Sequence, residues 1–212
     1  MSEATFKCRS CGKEHSLEVY ASVNVAENPE VKPSVKDGSL FVWQCPSCGT
    51  TNLAKYPFLY HDPTEKLMVW LLPDGETEVS EKHLKAVADQ LEGYTLRRVN
   101  EVGDLIEKIN IHDVGLDDIV MEICKYVTKM ELAEKAGNKA KDIMDATFRF
   151  YRMEGADNDI IITFPLDGQM QGTKISFKIY EDCRGILLRN PSIAPPTGFS
   201  RIDADWISQH FR

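Results

Sequence analysis

The first third of the chain alternates apolar and polar positions. Leu17, Val19, Ala21, Val23 and Val25 interleave with Glu18, Tyr20, Ser22 and Asn24, the two-residue period of a half-buried strand. Glu27-Asn28-Pro29 and Lys36-Asp37-Gly38 read as turns, and Leu40-Phe41-Val42-Trp43 returns as a further strand. Residues 55–60 and 66–72 predict a hairpin around His61-Asp62-Pro63. Together these segments predict one small antiparallel sheet over residues 4–72.

Beyond the turn Pro73-Asp74-Gly75-Glu76 the period lengthens. Leu84, Val87, Ala88 and Leu91 follow Ser80 at helical spacing, with Ser80 placed as an N-cap and Gly93 as the stop. Residues 94–99 predict a short strand. Asn100 precedes a second helix carrying Val102, Leu105, Ile106 and Ile109 on one face. The longest helical pattern is Leu116, Ile119, Val120, Ile123, Val127 and Met130, starting at Asp113 or Gly115 and interrupted at Gly137-Asn138. Strand periodicity resumes after Asp145: Ala146, Phe148, Phe150 and Arg152 alternate with Thr147, Arg149 and Tyr151, and residues 160–164 and 175–179 follow. Residues 181–188 predict a helix. Pro191, Pro195, Pro196 and Gly198 mark a loop, and Asp203 caps a last short helix through Trp206 and Ile207.

Two cysteine pairs punctuate the strand-rich part. Cys8-Arg9-Ser10-Cys11-Gly12 and Cys45-Pro46-Ser47-Cys48-Gly49 each place two thiols on one tight turn, followed by glycine. Two intervening residues let both sulfurs reach one metal, and glycine tolerates the positive φ that turns backbone amides toward the thiolates. Two such turns can close a tetrahedral zinc site from Cys8, Cys11, Cys45 and Cys48. Disulfides, a redox dithiol and an iron centre are the competing readings. A redox pair usually opens a helix, and glycine suits that position poorly. Residues 1–5 show neither a basic stretch nor an apolar run of a secretory signal, and reduced intracellular thiols remain free to bind metal. The expected organisation is therefore α+β: a zinc-ribbon-like antiparallel β domain over 1–75, a mainly helical segment over 76–144, and a C-terminal α/β part over 145–212.

Charge changes the functional picture. Zinc ribbons often bind nucleic acid, but the net charge here is -8. Residues 1–60 carry six basic and six acidic side chains, without the Lys/Arg cluster that a phosphate backbone requires. Residues 61–150 carry 12 basic and 19 acidic side chains, the acidity of solvated helix faces. The longest apolar run, Leu67-Met68-Val69-Trp70-Leu71-Leu72, is too short to span a bilayer.

Few other residues suggest chemistry. His15 and His61 lie nearest the cysteine turns, as a fifth ligand or a general base, but four cysteines already saturate a structural zinc. His83, His112 and His210 read as surface residues. Cys124 sits in the long helix as a small core side chain and Cys183 in the helix predicted over 181–188, neither beside a recognisable base. Asp117-Asp118 suits a helix N-terminus, Asp157/Asp159 a turn, and Asp203/Asp205 the last helix. Trp43, Trp70, Tyr56, Phe58 and Tyr60 are core candidates. A P-loop, a dinucleotide glycine fingerprint, Gly-x-Ser-x-Gly and His-Glu-x-x-His are all absent.

The two Cys-x-x-Cys-Gly turns, their separation, and Tyr60-His61-Asp62-Pro63 through Leu67-Met68-Val69-Trp70 resemble the CpXC domain family, as do Leu105-Ile106-Glu107-Lys108-Ile109 and Gly115-Leu116-Asp117-Asp118. The resemblance covers roughly residues 4–135. Only the second turn has the proline of the family's Cys-Pro-x-Cys motif; position 9 is Arg. The resemblance implies a cytoplasmic prokaryotic protein with a zinc-ribbon-like start, and it supplies no catalytic residues. The expected function is a non-catalytic interaction or regulatory module with structural zinc and a protein partner. A nucleic-acid or transcription-complex-binding ribbon is the alternative, and an enzyme with a site in the C-terminal part the third.

Overall fold

The computed structural model describes residues 1–74, 90–195 and 197–211. The helix expected behind Ser80, with Leu84, Val87 and Ala88, lies outside them, as does His83. The chain forms two compact units, Met1–Ile109 with Thr197–Ser200, and Asn110–Pro196 with Arg201–Arg212.

In the first unit, β1 (Ser2–Lys7) and β2 (Glu14–Val19) form an antiparallel hairpin, and β4 (Val42–Gln44) and β5 (Thr51–Leu53) form another. Between them run β3 (Ser22–Asn24), a 3-10 turn (Pro29–Val31), α1 (Lys32–Lys36) and a second 3-10 turn (Ser39–Phe41). A four-stranded sheet has the order β3-β6-β7-β8, with β6 at Phe58–Asp62, β7 at Leu67–Leu71 and β8 at Thr95–Val99. The segment Thr197–Ser200 returns beside β8, where the Arg98 amide donates to the Ser200 carbonyl at 3.0 Å.

This corrects the expectation of a single antiparallel sheet over 4–72. The region forms two small hairpins and contributes three strands of a mixed sheet, in which β3 pairs with β6 and β7 with β8 in parallel. Alternation reports which face of a strand is buried. It carries no information on neighbour or direction, which the crossover through α1 and the second hairpin decides. β7 occupies an interior position, and Leu67, Met68, Val69 and Leu71 are all buried, so its sequence reads as a continuous apolar run. Aromatic rings fill the interior: Phe41 meets Phe58 edge-on at 5.2 Å and Tyr56 at 5.7 Å, and Phe6 meets Tyr56 at 5.8 Å. Trp43, Tyr56, Phe58 and Tyr60 are core as expected, whereas Trp70 is only half-buried and lies against Phe199.

The division between the units falls inside α2 (Val102–Asp113). In the second unit α3 (Asp118–Lys135) begins later than Asp113 or Gly115, because α2 itself runs to Asp113 and Gly115 takes a positive φ of 72°. Asp117 caps α3, its Oδ1 accepting from the amides of Ile119 at 2.8 Å and Val120 at 3.3 Å. After a 3-10 turn and α4 (Ala140–Asp145), β9 (Arg149–Glu154), β10 (Asp159–Leu166) and β11 (Gln169–Ile175) form an antiparallel sheet with β10 central. Its buried face, with Phe150, Ile160, Ile162 and Phe164, belongs to one core with Val120, Ile123 and Cys124 of α3. The strand expected at 175–179 ends at Ile175, and α5 (Phe177–Arg189) follows. Phe177, Tyr180 and Cys183 sit three apart and pack on the core, so the helical period prevails over a short alternating run. α6 (Ala204–Ser208) is capped by Asp203, which accepts from the Trp206 amide at 2.9 Å.

Asp62, 2% exposed, ties the β6–β7 turn to the rest of the first unit. It accepts from Lys32 Nζ at 2.8 Å, Tyr60 OH at 3.2 Å, and the amides of Thr64 and Glu65 at 3.2 Å. Burial alone would raise its carboxyl, but the Lys32 ammonium, the Glu65 amide and Tyr60 outweigh it and hold the group below its ordinary value. A depressed carboxylate stabilises the fold above its unfolded pKa and loses that contribution as pH falls through the folded one. Asp62→Asn is expected to lower stability near pH 7 by about 1–3 kcal/mol, kept modest by the partial exposure of Lys32. The difference from the parent should narrow below about pH 4, measured by urea unfolding across pH.

Candidate metal centre

The two hairpins of the first unit are built on the same plan. In each, the first cysteine amide donates to the carbonyl five residues on: Cys8 to Lys13 at 2.8 Å, and Cys45 to Thr50 at 2.9 Å. The glycine after the second cysteine closes the turn, Gly12 donating to the Cys8 carbonyl at 3.0 Å and Gly49 to the Cys45 carbonyl at 2.8 Å. Both glycines have φ of 71°, a left-handed conformation that a side chain would strain. The strand registers also match, since Phe6 faces His15 in the first hairpin and Trp43 faces Asn52 in the second.

These turns bring Cys8, Cys11, Cys45 and Cys48 together, with all four sulfurs within 4.8 Å of one another. Cys8 Sγ lies 3.6 Å from Cys48 Sγ, and Cys11 Sγ lies 3.7 Å from Cys45 Sγ. A tetrahedron with metal–sulfur bonds of about 2.3 Å has edges of about 3.8 Å. Both cross-hairpin distances match such an edge, so the donor set fits a tetrahedral thiolate metal. Zinc and iron share this geometry.

The first cysteine of each pair is buried, Cys8 at 2% and Cys45 at 1% exposure, while Cys11 and Cys48 face solvent. Backbone N–H donation at Cys11 favours the Cys8 thiolate, with Ser10, Cys48 and Asn52 adding to it against burial, and lowers its pKa to about 6. Cys48 is lowered by the Thr50 hydroxyl, 3.3 Å away, and by the Thr50 amide. The Lys13 amide favours the Cys11 thiolate, but burial and the three neighbouring cysteines outweigh it and push the group up to about 11. Thiols this close cannot all ionise without a cation among them.

Of the remaining candidates among the described residues, only His15 lies at the cluster. His15 lies beside the cluster, with Nε2 3.4 Å from Cys45 Sγ and its ring edge-on to Trp43 at 5.7 Å. His61 pairs with the Tyr94 hydroxyl at 3.2 Å. His112 closes α2, and the His210 ring packs on Trp206 at 4.7 Å. Cys124 and Cys183 are buried at 0% and 3% exposure, and their thiols share a hydrogen bond inside the second unit. Asp159 pairs with Lys174 at 2.9 Å. An open depression of about 440 Å³ in the second unit is lined by Asp142, Asp145 and Asp167 among apolar neighbours, with no histidine, cysteine or serine. Asp167 is ion-paired with Lys139.

Sequence reasoning missed Asn52. It is 5% exposed, and Nδ2 donates toward Cys8 Sγ at 3.6 Å and to the Thr50 carbonyl at 2.8 Å, while Oδ1 accepts from the Arg9 amide at 3.0 Å. A signal was present: His15 and Asn52 each stand seven residues after the first cysteine of their pair.

A family model described as CpXC protein matches residues 6–125, more than half of the chain. The chain belongs to the CpXC family. The match takes in both cysteine turns, β6 through β8, α2 and the start of α3. No curated protein and no solved structure matches the chain. In this CpXC protein the metal-fitting cysteines thus lie within the family match.

Thiol counting checks the division of the six cysteines. Native protein stripped with a chelator should show four fast-reacting thiols per chain, from Cys8, Cys11, Cys45 and Cys48. Cys124 and Cys183 should react only after denaturant is added.

Proposed function

We propose that this CpXC protein is a cytoplasmic, non-catalytic interaction module whose two cysteine hairpins are clamped by one structural zinc ion. One observation carries the reading. The protein itself supplies a sulfur at all four corners of the tetrahedron, two of them buried. Zinc in such a set has no open position for water or substrate, so its contribution is to folding. Cys8, Cys11, Cys45 and Cys48 would hold it.

Charge and placement favour a protein partner over nucleic acid. A phosphate-binding patch would have to gather residues such as Arg97, Arg98, Lys139 and Lys141. Arg97 is only 7% exposed and donates to the Leu96 carbonyl at 2.9 Å and to Ser200 Oγ at 3.2 Å. Lys139 is ion-paired with Asp167, and the chain carries -8 overall. The depression in the second unit gathers three carboxylates without histidine, cysteine or serine, and one of them, Asp167, is ion-paired, which gives an enzyme reading little support. Six free thiols fit a reducing compartment. No described helix is long and apolar enough to cross a membrane.

Elemental analysis of protein purified under reducing conditions should give about one zinc per chain. An iron–thiolate spectrum, or metal-free protein with a Cys8–Cys11 disulfide, would overturn the zinc reading. Cys45→Ser should lose the metal and, by hydrogen exchange, the protection of both hairpins, because metal binding is folding free energy there. Retained protection without metal would mean the site is not structural. Binding to single- and double-stranded DNA and RNA should be weaker than micromolar at about 150 mM salt. Sub-micromolar binding with a steep salt slope would move nucleic acid to first place.

A further inference from the structure

The two outer residues at the centre do not serve their own hairpins. Asn52 stands on the second hairpin and reaches Cys8 of the first, while His15 stands on the first and reaches Cys45 of the second. Both face strand positions two residues before the first cysteine of their own pair, Trp43 for Asn52 and Phe6 for His15. The arrangement is therefore reciprocal and approximately two-fold. The sulfurs they reach are the two buried ones, where no solvent replaces a missing donor.

We infer that His15 and Asn52 are matched cross-hairpin locks: each donates an N–H to the buried cysteine of the opposite turn, and together they set how tightly the centre retains its metal. The inference rests on the reading of the four cysteines as a metal centre. An N–H donor withdraws charge from a metal-bound thiolate and makes it less reactive toward protons and electrophiles. Asn52 adds a second tie, since its Oδ1 accepts from the Arg9 amide inside the first turn. Its side chain is held at both ends by the Thr50 carbonyl and that amide, so it cannot leave Cys8 without breaking both of those bonds. His15 is held differently, by ring contact with Trp43. Separating the hairpins strips both buried sulfurs of their donors at once. Exchange of metal is thereby directed to the exposed edge formed by Cys11 and Cys48. These are positioning residues, one step out from the ligands, and a loss at either should cost about 10–100-fold in metal retention.

The test uses the full chain loaded with zinc, or with Co²⁺ as the optical probe. Wild type comes first: if it binds neither zinc nor Co²⁺ stoichiometrically, the metal-centre reading itself fails and the inference with it. Given a loaded wild type, His15→Ala and Asn52→Ala should each speed zinc transfer to a chromophoric chelator by about tenfold or more. Both should move the sulfur-to-Co²⁺ charge-transfer band to lower energy, because a sulfur lone pair without its N–H donor is easier to ionise. Looser packing alone would speed release and leave the band in place, and that result overturns the inference.

Two conservative variants guard against misfolding. His15→Asn copies the residue at the equivalent position of the other hairpin and should restore the wild-type band. Asn52→Asp keeps the shape and the acceptor for Arg9 but turns an oxygen toward Cys8, and should release zinc faster than Asn52→Ala. Wild-type rates and bands in both conservative variants and both alanine variants would show that the two contacts are incidental.

Discussion

Four sulfurs must come within a few ångströms of one point, and Cys11 and Cys45, on different hairpins, are separated by more than thirty residues of chain. That requirement organises the start of the molecule. The second hairpin has strands of only three residues each, and two-stranded hairpins are at best marginal in water. Structural zinc contributes on the order of 10–16 kcal/mol in small zinc-binding peptides, far more than such strands can gain by pairing. The intervening chain has to close the loop, and it does so through β3, α1 and two 3-10 turns that return the second hairpin to the first. The parallel pairing of β3 with β6 is a consequence of that closure.

The centre is not isolated from the interior of the first unit. Cys8 and Cys45 are members of the same buried cluster as Phe41, Tyr56, Phe58 and Tyr60. Trp43 and Phe6 lie two residues before these cysteines, so each hairpin carries an aromatic ring from the cysteine end toward the core. Tyr56, among these rings, has its hydroxyl pushed up to about 12 by burial and acts as an apolar filler. At the far end, Asp62 fixes the β6–β7 turn through four donors, including the Lys32 ammonium from α1. The cysteine cluster, the rings and the buried Asp62 carboxylate each tie together a part of the first unit.

The second unit is assembled from ordinary materials. Its core combines α3 and α5 with one face of a three-stranded antiparallel sheet, capped helices at Asp117 and Asp203, and a stacked Phe148–Phe164 pair at 4.3 Å. The Cys124–Cys183 pair lies inside that core, with the Cys124 thiol raised by its hydrogen bond to Cys183 and by burial, which keeps it neutral. Buried neutral thiols behave as small apolar side chains. The contrast with the mutually crowded cysteines of the hairpins, two of them exposed, shows that environment, more than residue type, sets what cysteine does in this chain.

Local chemistry makes the four clustered cysteines readable in the sequence by itself. Two cysteines, two spacers and a glycine determine the turn within five residues, and the turn determines the direction of the sulfurs. Helix caps at Asp117 and Asp203 and the α+β class are local in the same sense, since one side chain and its next three amides, or one period of burial, settle them. Sheet order and strand direction were decided only by the tertiary structure, because β3 meets β6 and β7 meets β8 after long stretches of intervening chain. The end of β11 was decided there too, because alternation over 175–179 suits either period until Tyr180 and Cys183 find the core. Asn52 escaped for the most physical reason of the three. An asparagine close to a turn ordinarily satisfies nearby backbone, and only the approach of the opposite hairpin brings a cysteine sulfur within its reach.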